Sequence, residues 1–253
     1  MTPGEAAIAA AAGLAAGLIN AVAGGGTLVS FPALVALGVP AVAANVTNTV
    51  ALVPGYLGGA AAQRRDLVTY ATRLRALTIA AAIGGLIGSI LLVNTSDDVF
   101  RVLVPFLILA ACALLGFQDR IKRWYSSRRP SAQDAERRPV LLVAAVFVGA
   151  IYGGYFGAGL GIMLLAILGL ALDDPLPRIN SLKTALSLVI NVLAACFFVF
   201  SGKVDWPFAA IIAVSSLAGG VIGGRLAGRL DPRILRTVVI TFGVIVAVRF
   251  FVT

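Results

Sequence analysis

The sequence contains no histidine and only two cysteines, and charged residues make up 12% of its 253 residues. Soluble domains are about 25% charged, so this chain is not an ordinary soluble domain. Cys112 and Cys196 lie in apolar segments without neighbours at metal-ligand spacing. The sequence therefore predicts neither a zinc site nor a disulfide framework, and no cofactor is expected.

Acidic residues are missing from the interior of the apolar segments. The eleven carboxylates stand at segment ends or in the polar stretches: Glu5, Asp66, Asp97, Asp98, Asp119, Asp134, Glu136, Asp173, Asp174, Asp205 and Asp231. A buried proton relay and an intramembrane hydrolase both need titratable or activating groups inside the membrane. We therefore expect neither an enzyme nor obligatory proton coupling through a membrane carboxylate.

Long apolar runs make up most of the chain, and 60% of its residues are hydrophobic. The runs cover residues 5–38, 41–62, 74–93, 99–118, 140–172, 182–200, 206–224 and 232–251. Most are close to the roughly 20 residues that a helix needs to cross a bilayer, and they are too continuous for barrel strands. We expect an all-α polytopic membrane protein with about 8–10 membrane segments.

Basic residues give the net charge of +9 and are concentrated between the apolar runs, mainly at 64–75, 119–139 and 225–236. They are not interleaved with aromatic residues, so no nucleic-acid partner is expected. By the positive-inside rule, 119–139 is cytoplasmic and contacts anionic lipid, whereas NTSDD at 94–98 is outside. The N-terminus has Glu5 and no early Lys or Arg, so no cleavable signal peptide is expected.

The chain repeats itself with a period of 132–135 residues. AAGLINAVAGGGTL at 15–28 is echoed by FVGAIYGGYFGAGLG at 147–161, NVTNTVAL at 45–52 by NSLKTALS at 180–187, and GGLIGS at 84–89 by GGVIGG at 219–224. We therefore divide the chain into a first transmembrane repeat (1–118), a basic cytoplasmic linker (119–139) and a second transmembrane repeat (140–253).

The charge distribution favours one of two arrangements of these repeats. If 5–38 and 140–172 each cross the membrane once, the repeats are parallel and 13 of the 20 Lys and Arg residues lie inside. If each segment goes in and comes back, the second repeat is inverted and 17 lie inside. The positive-inside rule favours inverted repeats, with both termini outside the cytoplasm.

Each repeat is interrupted by glycines in its first apolar run. Interrupted helices in corresponding positions of inverted repeats are typical of a transport site. Half-helices starting near Thr27 and Leu160 would direct their positive ends at that site, which favours an anion. The alternative is that glycines only allow close packing, which is our interpretation of GGLIGS and GGVIGG; Thr47 and Asn191 are likewise expected to bond neighbouring helices.

Polar residues open the run that follows each break. Asn45, Asn48 and Thr49 share one helical face, and the corresponding residues of the second repeat share another. Their amide, hydroxyl and ammonium groups are the donors that a dehydrated oxyanion needs. Lys183 supplies a fixed positive charge, unless it snorkels to the headgroups. The predicted substrate-binding residues are Gly25, Gly26, Thr27, Asn45, Asn48, Thr49, Gly157, Gly159, Asn180, Ser181, Lys183 and Thr184.

The glycine breaks, the spans opening with Asn and Thr, and the two-fold repeat resemble the sulfite exporter TauE/SafE family, also described as 4-toluene sulfonate uptake permeases. The resemblance covers about residues 8–250, although this chain has INSLKT at 179–184 where that family tends to have a Thr-Ser pair. It implies an inner-membrane transporter of small sulfur-containing anions such as sulfite, sulfoacetate or other sulfonates.

The membrane potential is the expected driving force. An inside-negative potential drives anions outward by about 2.3 kcal/mol per charge per 100 mV, which supports facilitated export by alternating access. An anion channel and a non-transporting membrane assembly subunit are the alternatives. The sequence predicts no oligomeric state.

Overall fold

A computed structural model describes residues 1–22, 25–62, 71–127, 139–172, 174, 176–226 and 232–252. The chain there is helical, without a strand in any of those ranges, which confirms the expected all-α fold. The helices are α1 (Pro3–Val22), α2 (Thr27–Ala36), α3 (Ala41–Ala62), α4 (Ala71–Asn94), α5 (Asp97–Ser127), α6 (Pro139–Tyr155), α7 (Leu160–Ala171), α8 (Leu176–Val199), α9 (Trp206–Leu226) and α10 (Pro232–Val252).

Glycine conformation explains why the first apolar run of each repeat is split. Gly25 has φ 90°, and Gly157 and Gly159 have φ 77° and 73°, which is the left-handed region that ends a helix. New helices begin directly afterwards, at Thr27 and Leu160. Both predicted starting points are confirmed.

The chain reverses direction at each break. In the second repeat, a methyl group on Gly153 would lie 2.8 Å from Leu160 Cδ2, and one on Gly149 would lie 3.1 Å from Ile167 Cδ1. The farther a residue of α7 lies from the break, the farther from the break is the residue of α6 that it contacts. Helix α7 therefore runs antiparallel to α6. In the first repeat, Gly26 packs against the Ala16 carbonyl, ten residues back along α1. Each broken segment therefore folds back on itself, and within the described residues each repeat contributes five helices.

Contacts at one end of the molecule establish how the repeats are related. The backbone N–H of Val42, at the start of α3, donates to Asp97 Oδ1 at the start of α5. Lys203, just after the end of α8, donates from Nζ to the Val93 carbonyl at the end of α4. Helix α3 therefore begins at this end of the molecule, whereas its counterpart α8 ends there, as inverted repeats require.

The two repeats exchange helices. Helix α1 packs most extensively on α9, and α6 packs most extensively on α4, so each repeat's first helix lies against the other repeat's fourth. Both pairs are parallel and joined at glycines: Gly88 meets the Ile151 carbonyl, and Gly219 meets the Leu14 carbonyl. The interpretation of GGLIGS and GGVIGG as packing surfaces is confirmed.

The buried apolar residues form two clusters. One consists of residues from α4, α6, α7 and α8 together with Leu172, and we call these four helices the second lobe. The other is built on α1, α2, α3, α5, α9 and α10, with side chains from the ends of α4 and α8 and from around the second break. The packing units therefore differ from the repeats in sequence.

Within the described residues, four helices are long and apolar enough to cross a membrane, over Arg75–Asn94, Asp97–Phe117, Ser181–Val199 and Trp206–Gly223. Shorter apolar helices occupy Thr27–Ala36, Val140–Tyr155, Leu160–Gly169 and Thr237–Phe251. Helix α5 continues beyond its apolar part to Ser127, because no glycine or proline interrupts residues 117–127. The rest of the predicted linker, up to residue 138, lies outside the described residues.

Candidate functional site

The first break exposes the N-terminus of α2. Gly26 is the N-cap residue, and no side chain forms a capping hydrogen bond to it. The backbone N–H groups of Leu28 and Val29 bond to the carbonyls of Gly25 and Gly26 at 3.0 Å. Thr27, the first helical residue, is buried. This uncapped terminus carries the positive end of the helix dipole into the protein interior.

Asn48 of α3 lies beside this terminus. Its Oδ1 accepts a hydrogen bond from Ser30 Oγ, which also lies 3.3 Å from the Gly26 carbonyl oxygen. Asn48 is 1% exposed, and its Nδ2 has no hydrogen-bond partner. Buried amide groups are nearly always paired, so this donor is a candidate contact for a ligand.

Asn45, one helical turn earlier on α3, joins the first repeat to the second break. Its Nδ2 donates to the Tyr155 carbonyl at 2.8 Å, where α6 ends. Asn45 is also 1% exposed, and its Oδ1 has no partner. One face of α3 thus carries an unpaired acceptor and an unpaired donor, between the two breaks.

The two breaks converge on one turn of α5. A methyl group on Gly159 would lie 3.5 Å from Ala111 Cα, and one on Gly25 would lie 3.6 Å from Leu115 Cδ2. Ala111 and Leu115 are one turn apart, a separation of about 6 Å between neighbouring side chains. Both belong to the apolar stretch Asp97–Phe117, so the breaks lie within the membrane-spanning part of α5.

Lys183 of α8 lies at the N-terminus of α7. Its Cδ, Cε and Nζ atoms are 3.8–3.9 Å from the position that a methyl group on Gly161 would occupy. Gly159 caps α7 without a side-chain hydrogen bond. The ammonium and the helix N-terminus both present positive charge, so together they favour an anion at this place.

The remaining predicted binding residues of α3 and α8 have different surroundings. Thr49 Oγ1 donates to the Asn45 carbonyl of its own helix at 2.9 Å, so its proton is already used. Ser181 is buried and Thr184 half-buried, and both interact with other groups, as does Lys183. Asn180 is in α8, but its side chain lies outside the described residues.

Thr47 bonds a neighbouring element as expected, whereas the bond of Asn191 lies within its own helix and not to a neighbouring one. Thr47 Oγ1 accepts from the Asp205 N–H at 2.9 Å, and Asn191 Nδ2 donates to the Ser187 carbonyl at 2.7 Å.

Two contributors were missed from the sequence. Ser30 lies one turn into α2 on the same face as Thr27, and this i, i+3 spacing is a signal that could have identified it. Tyr155 contributes only its backbone carbonyl, which no sequence pattern marks. The buried Ser187 Oγ also lacks a partner, and it stands one turn beyond Lys183 on α8.

These groups are suited to binding an anion. The described residues contain no cluster of His, Cys, Asp or Glu able to hold a metal ion. What converges is two helix N-termini, a free amide N–H and an ammonium, all of which stabilise negative charge.

Comparison with known proteins gives one family. The sequence profile described as Sulfite exporter TauE/SafE matches residues 9–250. No solved structure matches the chain.

Curated relatives are similar over nearly their whole length. A "Probable membrane transporter protein" of Haemophilus influenzae is 27% identical over 235 residues, covering 90% of this chain and 87% of the relative. "Probable membrane transporter protein ORF9" of Sinorhizobium sp is 26% identical, covering 92% and 87%. "Probable membrane transporter protein YfcA" of Escherichia coli K12 is 24% identical, covering 92% and 85%.

Proposed function

Since the chain belongs to the sulfite exporter TauE/SafE family and is therefore a membrane transporter, we propose that it carries small sulfur-containing anions. The substrates are sulfite, sulfoacetate or related sulfonates, and the direction is export. We place the protein in the inner membrane, with residues 119–139 in the cytoplasm and both termini outside.

The observation that carries this proposal is the pair of buried, uncapped helix N-termini with polar donors beside them. Asn48 Nδ2 lies near α2 without a partner, and Lys183 Nζ lies near α7. A small oxyanion would accept a hydrogen bond from the Asn48 amide and be attracted by the Lys183 ammonium and by the positive ends of α2 and α7. We assign binding to Gly25, Gly26, Thr27, Ser30, Asn45, Asn48, Gly157, Gly159, Asn180, Ser181, Lys183 and Thr184.

We further propose that the carrier works by alternating access, driven by voltage. The acidic residues of the described helices stand at helix ends or in the polar continuation of α5, so the apolar interior offers no carboxylate for proton coupling. The second lobe has its own apolar cluster and touches the other cluster with the ends of α4 and α8 and with Ile162 of α7, so movement of this lobe against the remaining helices would repack those contacts.

Counterflow of labelled sulfite in proteoliposomes tests the function. Unlabelled sulfite on one side should accelerate uptake of label from the other, and the rate should saturate. Lys183→Ala should weaken apparent affinity roughly tenfold to a hundredfold, as expected when a charged hydrogen-bond partner is lost. Lys203→Ala is the matched control, because Lys203 donates to the Val93 carbonyl at the end of α4.

The same experiment separates the alternatives. A channel would give flux that neither saturates nor shows counterflow. A non-transporting assembly subunit would give no flux of any sulfur oxyanion, and either result would overturn the proposed carrier.

A further inference from the structure

Asn45 carries an acceptor that an ordinary anion site would not contain. Its Oδ1 is buried without a partner. The amide orientation is fixed, because Nδ2 donates to the Tyr155 carbonyl at 2.8 Å and a flipped amide would bring two oxygen atoms together. An acceptor held in this way repels a fully deprotonated oxyanion, so its partner must be a hydrogen-bond donor.

A metal cation could also bind the unpaired Asn45 Oδ1, but the surrounding positive charge argues against one. The N-termini of α2 and α7 present positive dipole ends, and Lys183 adds an ammonium beside α7. Asn45 itself lies on the same face of α3 as Asn48, whose unpaired Nδ2 is a donor. A ligand between them has to be negative overall and still offer one hydrogen.

We propose that the site recognises the singly protonated form of an oxyanion, with Asn45 Oδ1 accepting from the ligand's one hydrogen. Asn48 Nδ2 donates to one of its oxygens, and the positive end of the α2 dipole stabilises its charge. This inference rests on the proposed function and narrows its substrate class. Sulfite is bound as hydrogensulfite, whereas sulfoacetate and other sulfonates, which carry no hydrogen on their charged groups at physiological pH, are weak ligands. Asn45 is thereby a specificity-determining residue.

Anions that carry no hydrogen on the charged group should bind poorly. Sulfate and methanesulfonate stay deprotonated at physiological pH, so each would leave Asn45 Oδ1 buried and unpaired. Leaving a buried polar group unpaired corresponds to a roughly fivefold to hundredfold loss of affinity. Sulfite, by contrast, changes between its two charged forms near neutral pH.

Other groups near α3 titrate as well and have to be distinguished from the ligand. In the part of the chain that the structure describes, the elements packed around Asn45 carry these titratable or charged side chains: Glu5 of α1, Tyr56 of α3, Asp97, Asp98, Arg101, Cys112, Asp119, Arg120 and Arg123 of α5, Tyr152 and Tyr155 of α6, Arg178, Lys183 and Cys196 of α8, and Lys203 and Asp205 before α9. None of these depends on which anion is offered. A pH response that is present with sulfite and absent with methanesulfonate therefore belongs to the ligand.

The test measures inhibition of labelled sulfite flux, with identical buffer on both sides of the membrane, from mildly acidic to mildly alkaline pH. The apparent affinity for total sulfite should follow the hydrogensulfite fraction, while inhibition by methanesulfonate should be weak and independent of pH. Asn45→Leu should bind hydrogensulfite and methanesulfonate equally. Asn191→Leu is the control, since Asn191 is a buried amide that donates to its own helix at 2.7 Å.

The outcomes separate this inference from the function on which it rests. The inference would be overturned by saturable sulfite flux whose apparent affinity does not depend on the protonation of sulfite, or is higher at alkaline pH. The proposed carrier function would still stand. Flux that requires sodium, with the requirement lost in Asn45→Leu, would also overturn the inference, because the acceptor would then bind a cation. Absence of any anion flux would overturn both the inference and the proposed function.

Discussion

At the scale of single residues, the two repeats place different chemistry at equivalent positions. Asn48 and Lys183 correspond in the repeat, and each lies at the start of a half-helix, α2 or α7. Asn48 offers a neutral amide donor whose orientation is set by the hydrogen bond from Ser30, whereas Lys183 supplies a positive charge. A two-fold fold thereby produces an unsymmetrical site, which can hold an anion with one protonated and several bare oxygens.

Asn48→Asp tests the donor with little change in shape. The substitution replaces the unpaired Nδ2 with oxygen and can add a negative charge, so sulfite affinity should fall at least roughly tenfold. Equilibrium binding to the purified protein measures this. Asn94→Asp is the control, because Asn94 is exposed at the end of α4 and donates to the Ile90 carbonyl. Unchanged affinity in Asn48→Asp would remove Asn48 from the site.

At the scale of helices, glycine has two distinct roles that substitution can separate. Gly25, Gly157 and Gly159 have positive φ and end helices, whereas Gly88 and Gly154 let α4 and α6 approach until backbone touches backbone. The first role positions the site. The second fixes how the repeats interlock.

Gly88→Ala should destabilise the fold. A methyl group there would overlap the Ile151 carbonyl oxygen and lie 2.8 Å from the Tyr155 nitrogen, and neither backbone atom can move independently. Overpacking of this kind costs about 1–3 kcal/mol, so the unfolding temperature in detergent should fall. Gly55→Ala has nothing within 4 Å and should be neutral or stabilising by up to about 1 kcal/mol. Equal effects of the two substitutions would contradict the packing role.

The sequence predicted where these helices begin better than it predicted which helices pack against each other. The glycine runs located the breaks, and the beginnings at Thr27 and Leu160 followed from where apolar sequence resumes. The exchange of α1 and α6 between repeats was not predictable, because glycines mark a close approach without identifying the helix that approaches. The contact between Asn45 and the Tyr155 carbonyl was hidden for a similar reason, since it joins residues 110 positions apart through a backbone atom.

At the scale of the whole molecule, the exchange of α1 and α6 between the repeats makes the stability of each repeat depend on the other. The main partner of α1 is α9, and that of α6 is α4, so a separate repeat would leave a glycine-lined helix surface uncovered. Residues 1–130 and 131–253, expressed separately, should be degraded. Their coexpression should restore a stable, transporting protein. Stable accumulation of either fragment alone, assayed by protease resistance in membranes, would show that the repeats fold independently.

Inverted repeats also predict which residues are accessible from outside the cell. In a background with both native cysteines replaced by alanine, Thr2→Cys and Ser201→Cys should react with a membrane-impermeant thiol reagent in intact cells. Ala132→Cys, in the basic linker, should react only after the membrane is permeabilised. Reaction of Ala132→Cys in intact cells would reverse the proposed orientation.

The measurement that tests voltage-driven anion transport most directly is sulfite distribution across proteoliposomes clamped with a potassium gradient and valinomycin, at equal pH on both sides. For a monovalent anion, each 100 mV of inside-negative potential should change the equilibrium ratio roughly fiftyfold towards the outside, and Lys183→Ala should slow the approach to that ratio. A distribution that ignores voltage and follows an imposed pH gradient would contradict the account.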